Sequence, residues 1–221
     1  MQEKLYSPLL HERIRMKNRV IIVGGGAAGM LASVFAAKKG CEVTLFEKNE
    51  KLGKKLYITG KGRCNVTNNC DPEELLNSVV TNAKFLYSAF YTFTSQDMMD
   101  FLEEAGTALK TERGNRVFPC SDRSSDIIRA LERQMKKYGV QIRLKSQVQK
   151  LLVEEGKVTG ISLTDGSVHR AEGVIVATGG LSYPTTGSTG DGYRFAREAG
   201  HTVTDLSPSL VPLHTKEDYI P

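Results

Sequence analysis

Short apolar runs separated by glycine-rich turns set the rhythm of this chain. Val20-Ile21-Ile22-Val23 is β-branched and uninterrupted by polar residues, the pattern of a parallel strand covered on both faces. It passes into Gly24-Gly25-Gly26-Ala27-Ala28-Gly29, and a helical stretch from Met30 to Lys39 follows, ended by Gly40. Glu42 to Phe46 alternates as a second strand and closes on an acid, Glu47. These elements predict a complete βαβ unit.

Residues 48–70 read as a loop rich in Gly, Lys and Asn. Asp71-Pro72-Glu73-Glu74 has the signature of a helix start, with Asp71 as N-cap and Glu74 completing a capping box. Further helices are predicted over 83–91 and 95–105, and a short strand at Val117-Phe118 follows the turn at 113–116. Ser125 is placed to cap a helix from Asp126 to Tyr138. The texture then changes. A strand at 140–144 precedes alternating segments at 147–153, 157–164 and 167–171, whose turns are Glu155-Gly156 and Asp165-Gly166. Gly173 to Ala177 reads again as a buried strand. An antiparallel meander therefore stands where a second Rossmann unit would carry its crossover helix. The fold class is α/β, a Rossmann-like dinucleotide-binding domain with an antiparallel β-meander.

The chain has 221 residues, 40% of them hydrophobic and 25% charged, which excludes collagen, coiled coil and disorder. The apolar runs are far shorter than the roughly 20 residues that span a bilayer, so no membrane partner is expected. Charge is scattered through the first 16 residues, unlike a secretory signal. The four cysteines, Cys41, Cys64, Cys70 and Cys120, include no CxxC pair. The expectation is a cytoplasmic protein with reduced thiols, no metal, and an N-terminal extension over residues 1–18. None of the four histidines stands near an obvious catalytic partner, and no catalytic acid or base is assigned.

The net charge of +5 raises nucleic acid as a partner, since six of the 16 residues from Lys48 to Arg63 are basic. Only Tyr57 among them could stack on a base, so the expected partner is a small molecule and not nucleic acid. The segment better suits neutralising cofactor phosphates, with Lys48, Lys54 and Arg63 as candidates.

A GxGxxG turn alone is weak evidence, but this one has a strand before it, a helix after it and an acid closing the next strand. Gly24 permits the tight turn, Gly26 lets the backbone approach a pyrophosphate, and Gly29 packs helix on sheet. The helix N-terminus at Ala27 and Ala28 offers N–H groups to phosphate. Glu47, 18 residues beyond Gly29, suits the adenosine ribose and disfavours a 2′-phosphate. The glycine-punctuated segment 53–69 suggests a cofactor longer than NAD; Gly60 and Gly62 would admit a flat ring, with Arg63 meeting phosphate or flavin oxygens. Ala177, Thr178, Gly179 and Gly180 form a third station at a strand end, and 186–192 leads into another helix whose start is marked by Asp191. An NAD-dependent dehydrogenase and a non-catalytic nucleotide- or nucleic-acid-binding module are the alternatives to an FAD enzyme.

Four segments together, VIIVGGGAAGM, FEKNEKLGKKLYITGKGRCNVTN, GNRVFPCSDRSSDI and ATGGLSYPTTGSTGDGYRFAREAGH, resemble a bacterial flavoprotein family. It contains aminoacetone oxidase and a bile-acid 3-dehydro-Δ4,6-reductase, and is related to the glutathione-reductase-type FAD fold. The resemblance implies an FAD-dependent oxidoreductase passing hydride between a small organic substrate and the flavin, with NAD(P)H as a candidate electron donor. It implies FAD contacts from Gly24 to Gly29, at Glu47, Lys48, Arg63, Cys64 and Asn65, at Val148 by way of its backbone, and from Ala177 to Gly180. It also implies that 19–207 is an incomplete FAD-binding domain, that 208–221 begins an inserted substrate-side domain, and that a C-terminal half is a missing partner.

Overall fold

The computed structural model describes residues 18–208. The expected extension at 1–18 and the segment 208–221 lie outside the described residues, except for Asn18 and Pro208. The elements in chain order are β1 (Arg19–Val23), α1 (Ala27–Lys38), β2 (Glu42–Phe46), β3 (Thr67–Asn68), α2 (Pro72–Asn77), α3 (Tyr87–Thr92), α4 (Ser95–Glu104) and β4 (Leu109–Glu112). They continue as β5 (Arg116–Pro119), α5 (Ser124–Lys137), β6 (Gln141–Arg143), β7 (Val148–Glu154), β8 (Lys157–Leu163), β9 (Val168–Arg170), β10 (Gly173–Val176) and α6 (Asp191–Glu198).

A parallel sheet of order β10-β1-β2-β6 forms the centre. On one face Ile22 and Leu45 pack with Met30 and Val34 of α1 and with Ile127, Leu131 and Met135 of α5. On the other, Ile21, Val23 and Phe46 meet Val148, Ile161 and Leu163 of the β7-β8-β9 meander and Phe195 of α6. Both faces of β1 are thus covered from Ile21 to Val23, which is why the run Val20 to Val23 is apolar. The meander stands where it was expected and shields the second face in place of a helix.

Several local expectations are corrected. Strand β10 is not fully buried: Ile175 is 40% and Val176 38% exposed, because β10 is the edge of the sheet. Ser125 does not cap α5. The helix starts at Ser124, Arg123 holds the cap position with no side-chain bond, and Ser124 Oγ instead donates to the Tyr57 carbonyl at 3.2 Å. Asp71 accepts from the Glu74 N–H at 2.8 Å, as expected of the cap of α2. The full reciprocal box forms two helices later, at α4, where Thr94 accepts from the Asp97 N–H at 3.1 Å and Asp97 accepts from the Thr94 N–H at 2.7 Å. The loop over 48–70 contains a kinked 3₁₀ stretch from Leu56 to Gly62 and the short β3. Strands β3, β5 and β4 form a small antiparallel sheet.

The seam between β1 and β10 is closed at one end by Arg19 and Glu172. The Glu172 carboxylate accepts from the Arg19 backbone N–H at 2.6 Å and from its guanidinium at 2.9 Å. The guanidinium bond, reinforced by the backbone one, lowers the carboxyl pKa from 4.5 to about 2. A depressed folded pKa means that the stabilisation is present above 4.5 and is lost as pH falls towards about 2. A carboxyl NMR titration should find the Glu172 midpoint near the lower value, and Arg19→Ala should move it most of the way back. A midpoint of 4.5 in the unmodified protein would show that the pair does not form in solution.

Candidate functional site

The C-terminal ends of the parallel strands open onto a cavity of about 380 Å³, where ligands sit in open α/β sheets. The turn from β1 into α1 forms its floor. Gly24 has φ +108°, and a Cβ there would lie 2.5 Å from the Ala177 carbonyl oxygen, so only glycine lets this turn nestle against the end of β10. The Gly24 N–H donates to the Phe46 carbonyl at 2.8 Å, and the Ala177 N–H donates to Val23 at 2.8 Å. The turn is therefore tied to both neighbouring strands. Gly29 faces inward, where a Cβ would sit 1.8 Å from the Gly24 carbonyl oxygen.

Glu47, 8% exposed, extends from the end of β2 beneath this turn. Its Oε2 accepts from the Gly25 N–H at 2.6 Å, and its Oε1 accepts from the backbone and side-chain N–H groups of Asn49 at 2.8 and 2.7 Å. Across the cavity, Lys48 Nζ donates to Asp191 at 2.7 Å and to Thr189 Oγ1 at 2.7 Å. This partly buried ion pair ties the loop after β2 to the start of α6.

Of the residues expected to hold a cofactor, Gly24, Gly26, Ala27, Ala28, Glu47, Lys48, Lys54, Val148, Ala177, Thr178, Gly179 and Asp191 line the cavity. They come from five separate stretches of chain. Gly29 and Gly180 stand behind the wall: Gly29 against the turn, and Gly180 accepting from the Gly190 N–H at 3.2 Å.

Gly62, Arg63, Cys64 and Asn65, also expected at the cofactor, do not line it. The Arg63 guanidinium lies over the Phe118 ring, 4.1 Å from its centroid, and pairs with Glu112 and Asp122. Lys110 completes the quartet through Asp122 at 2.7 Å and Glu112 at 3.3 Å. The hydrogen bond from Arg63 holds the Glu112 carboxyl below its usual range; those from Lys110 and then Arg63 do the same for Asp122. Two cations thus neutralise two carboxylates on the small sheet. Cys64 is buried in the main core, where desolvation pushes its thiol pKa up against the lowering effect of a bond with Thr59. That thiol is a packing group. With its amide nitrogen turned towards them, Asn65 can donate to the carbonyls of Thr67 and Val117. All four cysteines are free, and no group of three or more metal-ligating side chains occurs among the described residues.

Sequence reasoning missed Asn49, Ser146 and Gln147, which also line the cavity. Asn49, two residues past the acid, was within reach of it; the others carry no local signal.

The site fits a dinucleotide on two observations. No side chain caps α1, and its first turn contains no acid, so the N–H groups that lack intrahelical partners are free for an anion. A Cβ at Gly26 would meet nothing within 4 Å, which marks open space beside those donors. Glu47 stands beneath the same turn as an acceptor, leaving a donor cradle for phosphate beside an acceptor for a hydroxyl.

Fold and site together define a Rossmann-like dinucleotide-binding domain. The chain belongs to the HI0933-like protein family, whose Rossmann domain matches residues 18–214. It is similar to a 3-dehydro-bile acid delta(4,6)-reductase of Clostridium scindens, 33% identical over 203 residues, which cover 90% of this chain and 48% of that one. It is also similar to a ribosomal RNA dihydrouridine synthase of Escherichia coli, 35% identical over 194 residues, covering 87% and 47%. Among solved structures it resembles a flavocytochrome c3 fumarate reductase with a TM-score of 0.61 and 27% identity, covering 83% of this chain and 40% of that one. The chain spans about half the length of the curated relatives it matches. No helix among the described residues is long and apolar enough to cross a membrane.

Proposed function

We propose that this chain holds FAD for a hydride transfer between a small organic substrate and the flavin, with NAD(P)H as electron donor and a further C-terminal part completing the enzyme. When bound, FAD supplies the two-electron redox chemistry. The chain's own residues bind and orient. The N–H groups of Gly26, Ala27 and Ala28 face the pyrophosphate, adding the partial positive charge of the helix terminus. Glu47 accepts from the adenosine ribose, and its charge disfavours a phosphate on that sugar. Val148 and Ala177 to Gly179 bound the cavity on its two sides. Lys48, paired to Asp191, holds the rim closed on the side of α6. The observation that carries this reading is the uncapped start of α1 beside a buried carboxylate, both on one cavity.

An absorption spectrum of the purified protein, followed by titration with FAD, is the test. The two bands of oxidised flavin, or their appearance on titration with quenching of free-flavin fluorescence, are expected. Bleaching of those bands by NADH or NADPH would identify the donor. A protein that ignores FAD but binds NADH would defeat the reading.

A second reading takes ribosomal RNA as the substrate. It is supported by the two relatives named ribosomal RNA dihydrouridine synthase, 33% and 35% identical, and by the net charge of +5. RNA affinity that falls steeply with salt would favour it, and salt-independent absence of binding would favour the small substrate.

A further inference from the structure

We propose that Asn49 is a positioning residue, one that aims the Glu47 carboxylate at the cofactor's adenosine ribose and locks the 186–191 loop against the same carboxylate. The proposal rests on the FAD reading above. Both N–H groups of Asn49, backbone and amide, converge on Glu47 Oε1. With the Gly25 bond to Oε2, three of the roughly four acceptor positions of the carboxylate are taken. The one that remains is on Oε2, on a buried side chain that cannot turn without breaking all three bonds. The carboxylate is therefore presented to a ribose hydroxyl in a single orientation.

The same amide reaches the far side of the cavity. Asn49 Nδ2 also donates to the Thr186 carbonyl at 3.1 Å, and its Oδ1 accepts from Lys54 Nζ at 3.3 Å. Gly187, at φ +98°, lies so close that a Cβ there would be 2.6 Å from Asn49 Nδ2. The loop is pressed onto the amide at a position where side chains are excluded by both conformation and space. One side chain thus joins the acid after β2, the lysine at 54 and the loop into α6.

The experiment compares binding of FAD, ADP, 2′-deoxy-ADP and 3′-deoxy-ADP to the purified chain and to Asn49→Leu and Asn49→Ser, by calorimetry. One hydrogen bond to a held carboxylate is worth roughly tenfold in affinity. The unmodified protein should therefore prefer ADP by about that factor over at least one deoxy analogue. In Asn49→Leu the preference should fall to near unity while FAD affinity drops about tenfold. Both variants keep the backbone N–H on Oε1, but the hydroxyl in Asn49→Ser retains a short side-chain donor, so this variant should fall between the two. If both variants weaken every ligand equally and keep the preference, Asn49 merely supports the loop and the proposal is overturned. If the unmodified protein binds FAD without distinguishing ADP from either analogue, the ribose contact itself is wrong. If it binds no FAD at all, the FAD reading fails first and the proposal with it.

Discussion

Gly29→Ala is expected to destabilise the protein by about 3 kcal/mol, the upper range for overpacking a tight site, and to abolish cofactor retention. The added Cβ would lie 1.8 Å from the Gly24 carbonyl oxygen, 3.0 Å from its carbon and 3.3 Å from Ile22 Cγ2. Two of these three obstacles are backbone, so no rotamer change relieves the clash. Helix α1 would have to lift away from β1, opening the contact of Met30 and Val34 with Ile22 at the centre of the core. Movement of the turn would also disturb the Gly25 bond to Glu47. Denaturant unfolding is the measurement, read as a lower midpoint with an unchanged slope. For a chain of this length the same loss should lower the melting temperature by very roughly 10 °C. Wild-type stability in this variant would mean that helix and strand are not packed as tightly as described.

The βαβ unit was legible because its signals are local: β-branched runs, a glycine turn and an acid at the expected distance. The meander was legible for the same reason, through alternation bounded by two Xaa-Gly turns. What escaped depended on distant partners. The basic segment before Arg63 looks like a phosphate-binding loop in sequence, yet the charge of Arg63 is matched by Glu112 and Asp122, 49 and 59 residues away. The apolar run at β10 looks fully buried, but its exposure is decided by strand order, which places it at an edge. Strand β4, Leu-Lys-Thr-Glu, has too little alternation to announce itself, and it exists through pairing with β5. Asn49 escaped because its partner Thr186 is 137 residues on. The cavity's glycines could be found from the sequence, whereas the polar clasp that shapes its rim is a product of tertiary contact.

Gly26 separates what the fold needs from what the ligand needs. Its backbone, at φ −80° and ψ −173°, is ordinary extended N-cap geometry that any residue adopts. A Cβ there would meet nothing within 4 Å. Gly26→Asp should therefore fold normally and gain a few tenths of a kcal/mol, because a carboxylate at the N-cap satisfies first-turn N–H groups and opposes the helix dipole. The same carboxylate would occupy the donors assigned to the pyrophosphate and repel its charge. FAD affinity should fall by about 100-fold or more, equivalent to about 2.7 kcal/mol. Gly29→Ala lowers stability and binding together, whereas Gly26→Asp should raise one and remove the other. Paired unfolding and titration experiments read both quantities on each variant. Retained FAD affinity in a stable Gly26→Asp protein would place the phosphates elsewhere than the start of α1, since no dinucleotide could share those N–H groups with a capping carboxylate.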